Sequence, residues 1–392
     1  MNSFLSKNNE KIKKDSKGRK LKDGEGQRKD KLYYYRYTDT SGKRCYVYDR
    51  NLDKLREKER EIQLQLAQGV SLANGKKTLG NMIDEHFALK KTKWRASTKE
   101  TMEGYRYILQ KSNLYTMPIN KIKTSDCKAY LVNLQENYSY SVVCKVYMVM
   151  KDAFNLACEN DALVKNPCSF KLRSIAENDS EKIPALTEIE ENSLLDFLKN
   201  DSIGKKYIDI FVVLLGTGLR ISELAALTVK DVDFVNNEIN INKQIIRIKG
   251  AIQITKPKTD AAIRKIPMIP EVRVVLKALV ERQKQLKINT MVDGHIGFLF
   301  TSCHGNPRTE SEYSGLFRRQ LARYNAKCEI KIERCTPHSL RHTFATKCVA
   351  SGMDIKKAQY LMGHEKANTL LDIYADVDKN NLADSIKKIK IG

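Results

Sequence analysis

The sequence lacks any long apolar run. Its longest strongly apolar stretch is Ile210 to Leu215, far short of the roughly 18 consecutive apolar residues that span a bilayer. The first 30 residues are polar and rich in lysine, without the apolar core of a secretory signal. We therefore expect a soluble, cytoplasmic protein with no membrane partner.

Paired cysteines are also missing. Nine cysteines are present, none of them in a C-x-x-C arrangement. Cys335 and His338 have a ligand-like spacing, but no second Cys/His pair accompanies them. An odd, scattered set in a chain without a signal sequence indicates reduced thiols, mostly buried as small apolar residues. The sequence thus implies no structural metal.

Acidic residues are in deficit. Asp and Glu number 47 against 70 Lys and Arg, a net charge of +23. The hydrophobic fraction of 41% excludes wholesale disorder, and 392 residues suffice for two or three domains of roughly 150 residues each. The positive excess favours a polyanionic partner, either nucleic acid or an anionic membrane surface.

The first 50 residues carry 15 basic and 7 acidic side chains. Two aromatic, β-prone runs, Tyr33–Tyr37 and Arg44–Tyr48, flank a turn containing Gly42, and a charged helix is predicted over Asn51–Ala67. A small sheet with exposed Arg, Lys and Tyr is typical of modules that read the DNA major groove with strands. The alternative is a solvated hairpin module that binds any acidic surface. Our candidate DNA contacts here are Arg19, Lys20, Arg28, Lys29, Tyr35, Arg36, Tyr37 and Arg44.

Residues 78–172 read as an all-helical domain. Ser97 to Glu100 has the pattern of a capping box, and Ser139 to Glu159 shows apolar residues at helical spacing. Basic side chains cluster near the first of these helices, and we take three of them as DNA contacts: Lys93, Arg95 and Lys99. The polar stretch 173–186 lacks periodicity and is predicted to be a linker.

Residues 187–392 mix helices and strands. A capping box, Thr187 to Glu190, opens this part, and Tyr207–Leu215 reads as an apolar helix. We predict strands within Glu238–Ile248 and Ile263–Ile269, with a short buried strand at Phe298–Phe300. The predicted fold is a multidomain α+β protein: a small amino-terminal sheet with a helix over 1–72, a helical bundle over 78–172, and a mainly helical α/β domain over 187–392.

The carboxy-terminal half contains an ordered set of short motifs. In chain order they are Thr217-Gly-Leu-Arg220-Ile-Ser-Glu223, Thr255-Lys-Pro-Lys258-Thr259, His338-Ser-Leu-Arg341-His342, Leu361-Met-Gly-His364 and Tyr374. Each motif alone is weak evidence, since a pattern as short as His-x-x-Arg arises easily by chance. The ordered set with its flanking residues resembles the tyrosine recombinases, the integrases of phages and transposons. The amino-terminal hairpin further resembles the arm-site-binding domain of integrases from conjugative transposons.

The chemistry of DNA strand cleavage suits these residue types. A side-chain hydroxyl that attacks a phosphodiester needs cations to stabilise the phosphate oxygens and an acid for the leaving oxygen. Tyr374 supplies the phenolic nucleophile. Arg220 and Arg341 carry permanent planar cations that match a phosphate bidentately.

The remaining roles come from the resemblance. It implies that Lys258 protonates the leaving 5′ oxygen, with Lys256 as the competing candidate because the alignment is uncertain by two residues. His338 would hydrogen-bond the phosphate and relay a proton with Tyr374, and His364 would be the second hydrogen-bond donor to the phosphate. Glu223, one helical turn after Arg220, would orient His338 or an arginine. We assign His342 to packing or backbone hydrogen bonding.

No cofactor is expected. Metal-dependent strand transfer needs clustered carboxylates, and the acidic residues near Asp231 and Asp233 form no spaced triad. A phosphotyrosine link retains the energy of the broken bond, so rejoining needs no ATP, and the sequence has no G-x-x-x-x-G-K-[ST] loop.

The function that follows from the resemblance is site-specific recombination that integrates and excises a mobile element. Leu382, Ile386 and Ile389 recur at helical spacing and suggest a terminal helix, folded onto its own domain or docked on a neighbour. The implied partners are double-stranded DNA at core and arm sites, a homotetramer on two duplexes, an excisionase and host DNA-bending proteins, with the protein in the nucleoid when bound. The alternatives are a chromosome-dimer resolvase of the same chemistry and an inactive DNA-binding regulator.

Overall fold

The computed structural model describes residues 13–39, 42–67, 69, 76–178, 184–257, 259–285, 290–363 and 371. The chain divides into two compact units, Met1–Ser180 and Glu181–Gly392. The boundaries of the three domains expected from the sequence remain a prediction.

The chain begins with a three-stranded antiparallel sheet and a helix, which we call the sheet module (residues 13–39 and 42–67). Its elements are β1 (Glu25–Gln27), β2 (Tyr33–Thr38), β3 (Arg44–Asp49) and α1 (Leu52–Ala67), with strand order β1-β2-β3. Successive strand residues point to opposite faces. One face places Tyr33 and Tyr35 in a small core with Leu52 and Leu55 of α1, so the other face is left to solvent.

Helices dominate residues 76–178. They are α2 (Leu79–Lys90), α3 (Ala96–Gln110), α4 (Asn113–Thr116), α5 (Thr124–Gln135) and α6 (Tyr140–Glu159). The long apolar helix α6 contacts α2, α3 and α5, and its Met150 and Phe154 are fully buried in this core. The capping box predicted at Ser97 is wrong. Helix α3 already begins at Ala96, so its N-cap residue is Arg95, which makes no side-chain cap hydrogen bond.

Both ends of the predicted linker, 173–186, contact neighbouring structure. Leu172 and Ala176 are buried against the helical core, and the Gln135 side chain donates to the Glu177 carbonyl at 2.7 Å. At the other end, the Leu186 amide donates to Thr343 Oγ1 at 2.9 Å. Residues 179–183 lie outside the described part of the chain.

The second unit contains seven helices and five strands in its described residues. The helices are α7 (Glu188–Asn200), α8 (Ile208–Thr217), α9 (Ile221–Ala225), α10 (Pro270–Gln285), α11 (Glu310–Lys327), α12 (Pro337–Ala350) and α13 (Ile355–Met362). The strands are β4 (Val232–Asp233), β5 (Glu238–Ile241), β6 (Gln244–Ile248), β7 (Ala251–Thr255) and β8 (Arg264–Pro267). β4, β5 and β8 form one antiparallel sheet, whereas β6 and β7 form a separate hairpin.

The apolar helix α8 is central to this unit. It contacts α7, α10 and α12, and its Phe211 stacks on Phe317 of α11 at a centroid distance of 4.4 Å. The predicted capping box at Thr187 is present, since Thr187 Oγ1 accepts from the Glu190 amide at 3.2 Å. The strand predicted at Phe298–Phe300 is wrong: these residues are buried, but only an isolated bridge joins Phe298 to Thr228.

Candidate active site

Arg220 and Arg341 come together because two helices pack closely. Helix α8 ends at Gly218, whose φ of 62° is left-handed, and Arg220 follows at the start of α9. A Cβ on Gly218 would lie 2.3 Å from the Phe344 ring of α12. Glycine therefore serves two needs at this position: it adopts the positive φ and it admits α12, which bears Arg341.

Arg341 is held by the carboxy-terminal ends of two helices. Its side chain is buried, and it donates to the Gly218 carbonyl at 2.6 Å and to the Met362 carbonyl at the end of α13. Carbonyls in the last turn of a helix lack intrahelical partners and carry partial negative charge, so they favour a cation. Burial and the neighbouring charge of Arg220 lower the pKa of Arg341 to about 9, which leaves the group charged at neutral pH.

Arg220 is more open. About a third of its side chain is exposed, and it donates to Glu223 Oε1 at 2.8 Å and to the Gly363 carbonyl at 2.9 Å. The Arg220 amide also donates to Glu223 Oε2 at 3.0 Å. The buried Glu223 therefore fixes both the backbone and the guanidinium of Arg220, in keeping with the orienting role predicted for it.

Arg264 is a component of the site that sequence reasoning missed. Its buried guanidinium donates to both oxygens of Glu223, at 2.9 and 3.3 Å, and its Nε donates to the Leu361 carbonyl at 2.7 Å. The charges of Arg264 and Arg220 oppose the effect of burial and hold the pKa of Glu223 below its usual value. The sequence pattern of β8 could have indicated this role. Arg264 alternates with Ile266 on the inward face of the strand, and a buried charge requires a partner.

His338 lies beside the two arginines. It lines an open cleft of about 560 Å³ together with Arg220, Arg341, Glu310 and Thr336. Burial, followed by the positive charges of Arg341, His342 and Arg220, lowers the pKa of His338. The imidazole is therefore neutral at pH 7, able to donate a hydrogen bond from one nitrogen and accept one at the other.

His342 is half-buried on α12. Its Nδ1 lies 3.4 Å from Thr346 Oγ1, one helical turn away. This contact within α12 suits the packing role expected for His342, which stays a prediction.

Three predicted catalytic residues, Lys258, His364 and Tyr374, lie outside the described residues. Lys256 is exposed directly after β7, and Gly363, the residue before His364, ends α13 with φ 59°. A Cβ on Gly363 would lie 2.8 Å from Arg264 Nη1, so glycine is required where α13 meets the arginines.

In the sheet module the structure separates the predicted contacts by strand face. Arg36 and Arg44 are exposed, on the face opposite to Tyr35. The residues of β2 and β3 on this face, which we call the exposed sheet face, are Tyr34, Arg36, Thr38, Arg44, Tyr46 and Tyr48. Sequence reasoning missed its three tyrosines, although alternation along the strands allowed for them.

Tyr35 and Tyr37 lie on the opposite face from Arg36 and Arg44. Tyr35 is buried and Tyr37 is half-buried, both beside α1. Burial raises the pKa of Tyr37 to about 12. Their rings belong to the core of the module, which argues against direct contact with DNA, and the two contacts stay predictions.

Arg19 is tied into its own module. Its Nε donates to Asp15 Oδ2 at 2.8 Å, and its Nη2 donates to the Tyr33 hydroxyl at 2.8 Å. These bonds give Arg19 a structural role whether or not it also contacts DNA. The other amino-terminal candidates, Lys20, Arg28 and Lys29, are exposed.

The three candidates of the helical region surround the start of α3. Lys93 and Arg95 are exposed just before this helix, and Lys99 is half-buried in its first turn. Within the described ranges, no group of three or more His, Cys, Asp or Glu residues is placed to hold a metal ion. No helix in the described part of the chain is both long and apolar enough to span a membrane.

Comparison with known proteins defines the family. A model of the phage integrase family matches residues 184–381, and a model of the DNA binding domain of Tn916 integrase matches residues 9–66. The chain is 34% identical over 391 residues to the transposase from transposon Tn1545 of Streptococcus pneumoniae and to that from Tn916 of Enterococcus faecalis, with 96% of both chains covered in each case.

Solved structures agree. The Tn1549 transposon integrase in complex with a circular intermediate DNA matches with a TM-score of 0.75 and 34% identity, over 80% of this chain and 99% of that one. A lambda integrase dimer bound to a core site shares the fold at a TM-score of 0.55 and 15% identity, over 91% and 95% of the two chains. The predicted fold class is confirmed.

The family match defines an enzyme that acts on the phosphodiester bonds of DNA. The chain belongs to the phage integrase family, the tyrosine recombinases, which cleave and rejoin DNA through a covalent phosphotyrosine intermediate.

Proposed function

We propose that this recombinase integrates and excises a conjugative transposon. The main support is the match along nearly the whole chain, sheet module included, to the transposases from Tn1545 and Tn916. A chromosome-dimer resolvase acts at one core site and has no need for a second DNA-reading module. The amino-terminal module therefore favours the mobile-element function.

The scissile phosphate binds in the cleft between Arg220 and Arg341. This assignment rests on one observation: two fixed guanidiniums and a neutral imidazole line the same open cleft. The arginines stabilise the negative charge that grows on the non-bridging oxygens, and their positions are set before the substrate binds. His338 hydrogen-bonds one of these oxygens, and His364 supplies a second hydrogen bond.

Tyr374 attacks the phosphorus atom. Its phenolic oxygen passes its proton to the neutral His338 and forms a bond to phosphorus as the bond to the 5′ oxygen of the next nucleotide breaks, leaving a 3′-phosphotyrosyl link. Lys258 donates the proton that the leaving 5′ oxygen takes up, with Lys256 as the alternative donor. Rejoining reverses these steps on a different strand, so the sequence of reactions needs neither metal nor ATP.

The two amino-terminal regions hold DNA. The exposed sheet face presents two arginines and three tyrosines, a composition suited to phosphates and base edges in a major groove. Lys93, Arg95 and Lys99 cluster at the start of α3, where the helix dipole disfavours cations. A phosphate at this end of α3 offsets that repulsion.

Four protomers act together on two duplexes. Recombination breaks four strands and each chain supplies one nucleophile, so a homotetramer meets the requirement. Arm and core sites lie apart on the DNA, and one chain reaches both only where the duplex bends. Host DNA-bending proteins and an excisionase are therefore the expected partners.

Trapping the covalent intermediate tests the reaction. A labelled, nicked core-site DNA is incubated with the protein, and the products are separated on a denaturing gel. We expect a protein-linked DNA band that Tyr374→Phe abolishes while DNA binding persists. An adduct formed by Tyr374→Phe contradicts the nucleophile, and failure of every site to yield an adduct favours the inactive regulator.

A further inference from the structure

The hairpin of β6 and β7 has an outer edge whose amides point away from its partner strand. Lys249 and Gly250 form its two-residue turn with φ of 48° and 85°, so Ile248 and Ala251 make the hydrogen-bonded pair that closes the turn. Hydrogen-bonded and non-bonded pairs alternate along an antiparallel ladder. Ile254, opposite Ile245, is therefore in a non-bonded pair, and its amide faces outward.

Asp293 accepts that outward amide. The Ile254 N–H donates to Asp293 Oδ2 at 2.7 Å. Asp293 occupies a tight turn closed by two hydrogen bonds between Val292 and His295, at 2.9 and 3.0 Å. Its φ is 45°, a left-handed conformation that Asp, Asn and Gly adopt more readily than other residues.

The turn that holds Asp293 is anchored near Arg220. Just beyond it, the Gly297 carbonyl accepts from the Val229 amide at 3.0 Å, and the Leu299 amide donates to the Leu227 carbonyl at 2.9 Å. Leu227 and Val229 lie two and four residues beyond the end of α9, and Arg220 is the N-cap residue of that short helix. A short path of hydrogen bonds thus connects the arginine-bearing segment to β7 through the Asp293 carboxylate.

We propose that Asp293 is a positioning residue that holds the free edge of β7 against the body of the unit. The last residue of β7, Thr255, is followed directly by Lys256 and, two residues later in sequence, by Lys258. The carboxylate thereby sets the approach of the leaving-group lysine to the phosphate held by Arg220 and Arg341. This inference rests on the proposed role of one of these lysines as the general acid.

Two substitutions separate the hydrogen bond from the backbone conformation. Asp293→Asn keeps both an acceptor oxygen and the tolerance of a positive φ. Asp293→Gly keeps the tolerance of a positive φ but removes the acceptor. A difference between the two variants therefore reports on the bond to Ile254.

The readout is cleavage of two DNA substrates that differ in one atom. With an ordinary phosphodiester the leaving 5′ oxygen takes a proton from the lysine, whereas a 5′-phosphorothiolate leaves as a stable thiolate and needs no acid. We expect Asp293→Gly to cleave the ordinary substrate about tenfold more slowly, because misplacing the acid forfeits only part of the roughly 10²- to 10⁴-fold that general acid catalysis contributes. It should cleave the phosphorothiolate at the wild-type rate, and Asp293→Asn should match the wild type on both.

A matched control uses another turn of the same unit. Asp233 accepts from the Val235 and Asn236 amides at 2.9 and 3.0 Å, in a turn without a bond to the hairpin. Asp233→Gly should leave both rates unchanged. Equal slowing of Asp293→Gly on the two substrates, or no slowing at all, overturns the proposal.

The lysine variants keep this test distinct from the proposed function. Lys258→Ala and Lys256→Ala are measured on the same pair of substrates. If neither variant cleaves the ordinary substrate slowly and the 5′-phosphorothiolate at the wild-type rate, the assignment of a lysine as general acid fails. If one does and Asp293→Gly does not, the lysine role stands and only the positioning role is wrong.

Discussion

The arginines of the cleft and those of the exposed sheet face carry the same charge in opposite settings. Arg341 is buried and bonded to two helix-end carbonyls, and Arg220 is fixed by Glu223 and the Gly363 carbonyl. Arg36 and Arg44 of the sheet module are exposed. The net charge of +23 is therefore divided between cations built into a fixed site and cations presented on a surface.

This difference follows from what each task requires. Stabilising a transition state depends on donors held in place before charge develops, and burial strengthens their effect. Affinity for a duplex depends mainly on how many phosphates are neutralised, because released counterions supply the free energy. Burying and fixing an arginine costs desolvation free energy, and only the arginines of the cleft need the fixed position that this burial provides.

The largest expected effect is on Arg341. We predict that Arg341→Lys lowers the single-turnover cleavage rate about 10³-fold. The planar guanidinium can donate to two backbone carbonyls and still present N–H groups to a phosphate, whereas a lysine ammonium lacks this geometry. Affinity for core DNA should change by about twofold at most, as measured by gel shift. An equal loss of DNA binding and of cleavage would mean that Arg341 contributes affinity for DNA, as the surface cations do, and not stabilisation of the transition state.

The second prediction concerns the buried ion pair between Arg264 and Glu223, which supports Arg220. We predict that Arg264→Met lowers the free energy of unfolding by about 3–5 kcal/mol, since it leaves part of the buried Glu223 charge uncompensated. Urea denaturation measures this change. The control is Lys265→Met, the next residue of β8, whose exposed pair with Glu238 is worth about 0.5 kcal/mol. Similar losses in the two variants would contradict a special role for Arg264.

The exposed sheet face should show the reverse behaviour. We predict that Arg36→Ala weakens binding to arm-site DNA about tenfold and reduces the salt dependence by roughly one phosphate contact. Cleavage of saturating core DNA should stay at the wild-type rate. Tyr46→Ala should weaken arm binding too, whereas Tyr37→Phe should not. Weakened binding by Tyr37→Phe would support the original prediction for that residue.

The smallest expected effect is a shift in the titration of His338. Its pKa in the folded chain lies below the ordinary histidine value of 6.5, so the unfolded state binds more protons just below that pH. Stability contributed by the neutral ring is therefore complete above pH 6.5 and is lost as pH falls through the folded pKa. We predict, by NMR titration, a low pKa in the free protein that rises when DNA brings a phosphate into the cleft. An unchanged pKa would mean that the phosphate lies elsewhere.

The sequence by itself determined the parts of this protein that depend on local pattern. The order of motifs identified Arg220, His338 and Arg341, since short segments around a site carry their own turns and helix starts. Helix α6 was predictable because its apolar spacing is a local property. The strand at Phe298 failed because a buried apolar run has no periodicity that separates a strand from irregular chain.

Tertiary structure decided the rest. Alternation along β2 divides Tyr34 and Arg36 from Tyr35 and Tyr37, but only the packing of α1 determines which set faces water. Arg264 bonds to Glu223, which in turn holds Arg220, because β8 lies beside α13 and Glu223, residues far from Arg264 in the chain. Such choices depend on which surfaces meet, and burial free energy is gained only when distant segments close on one another.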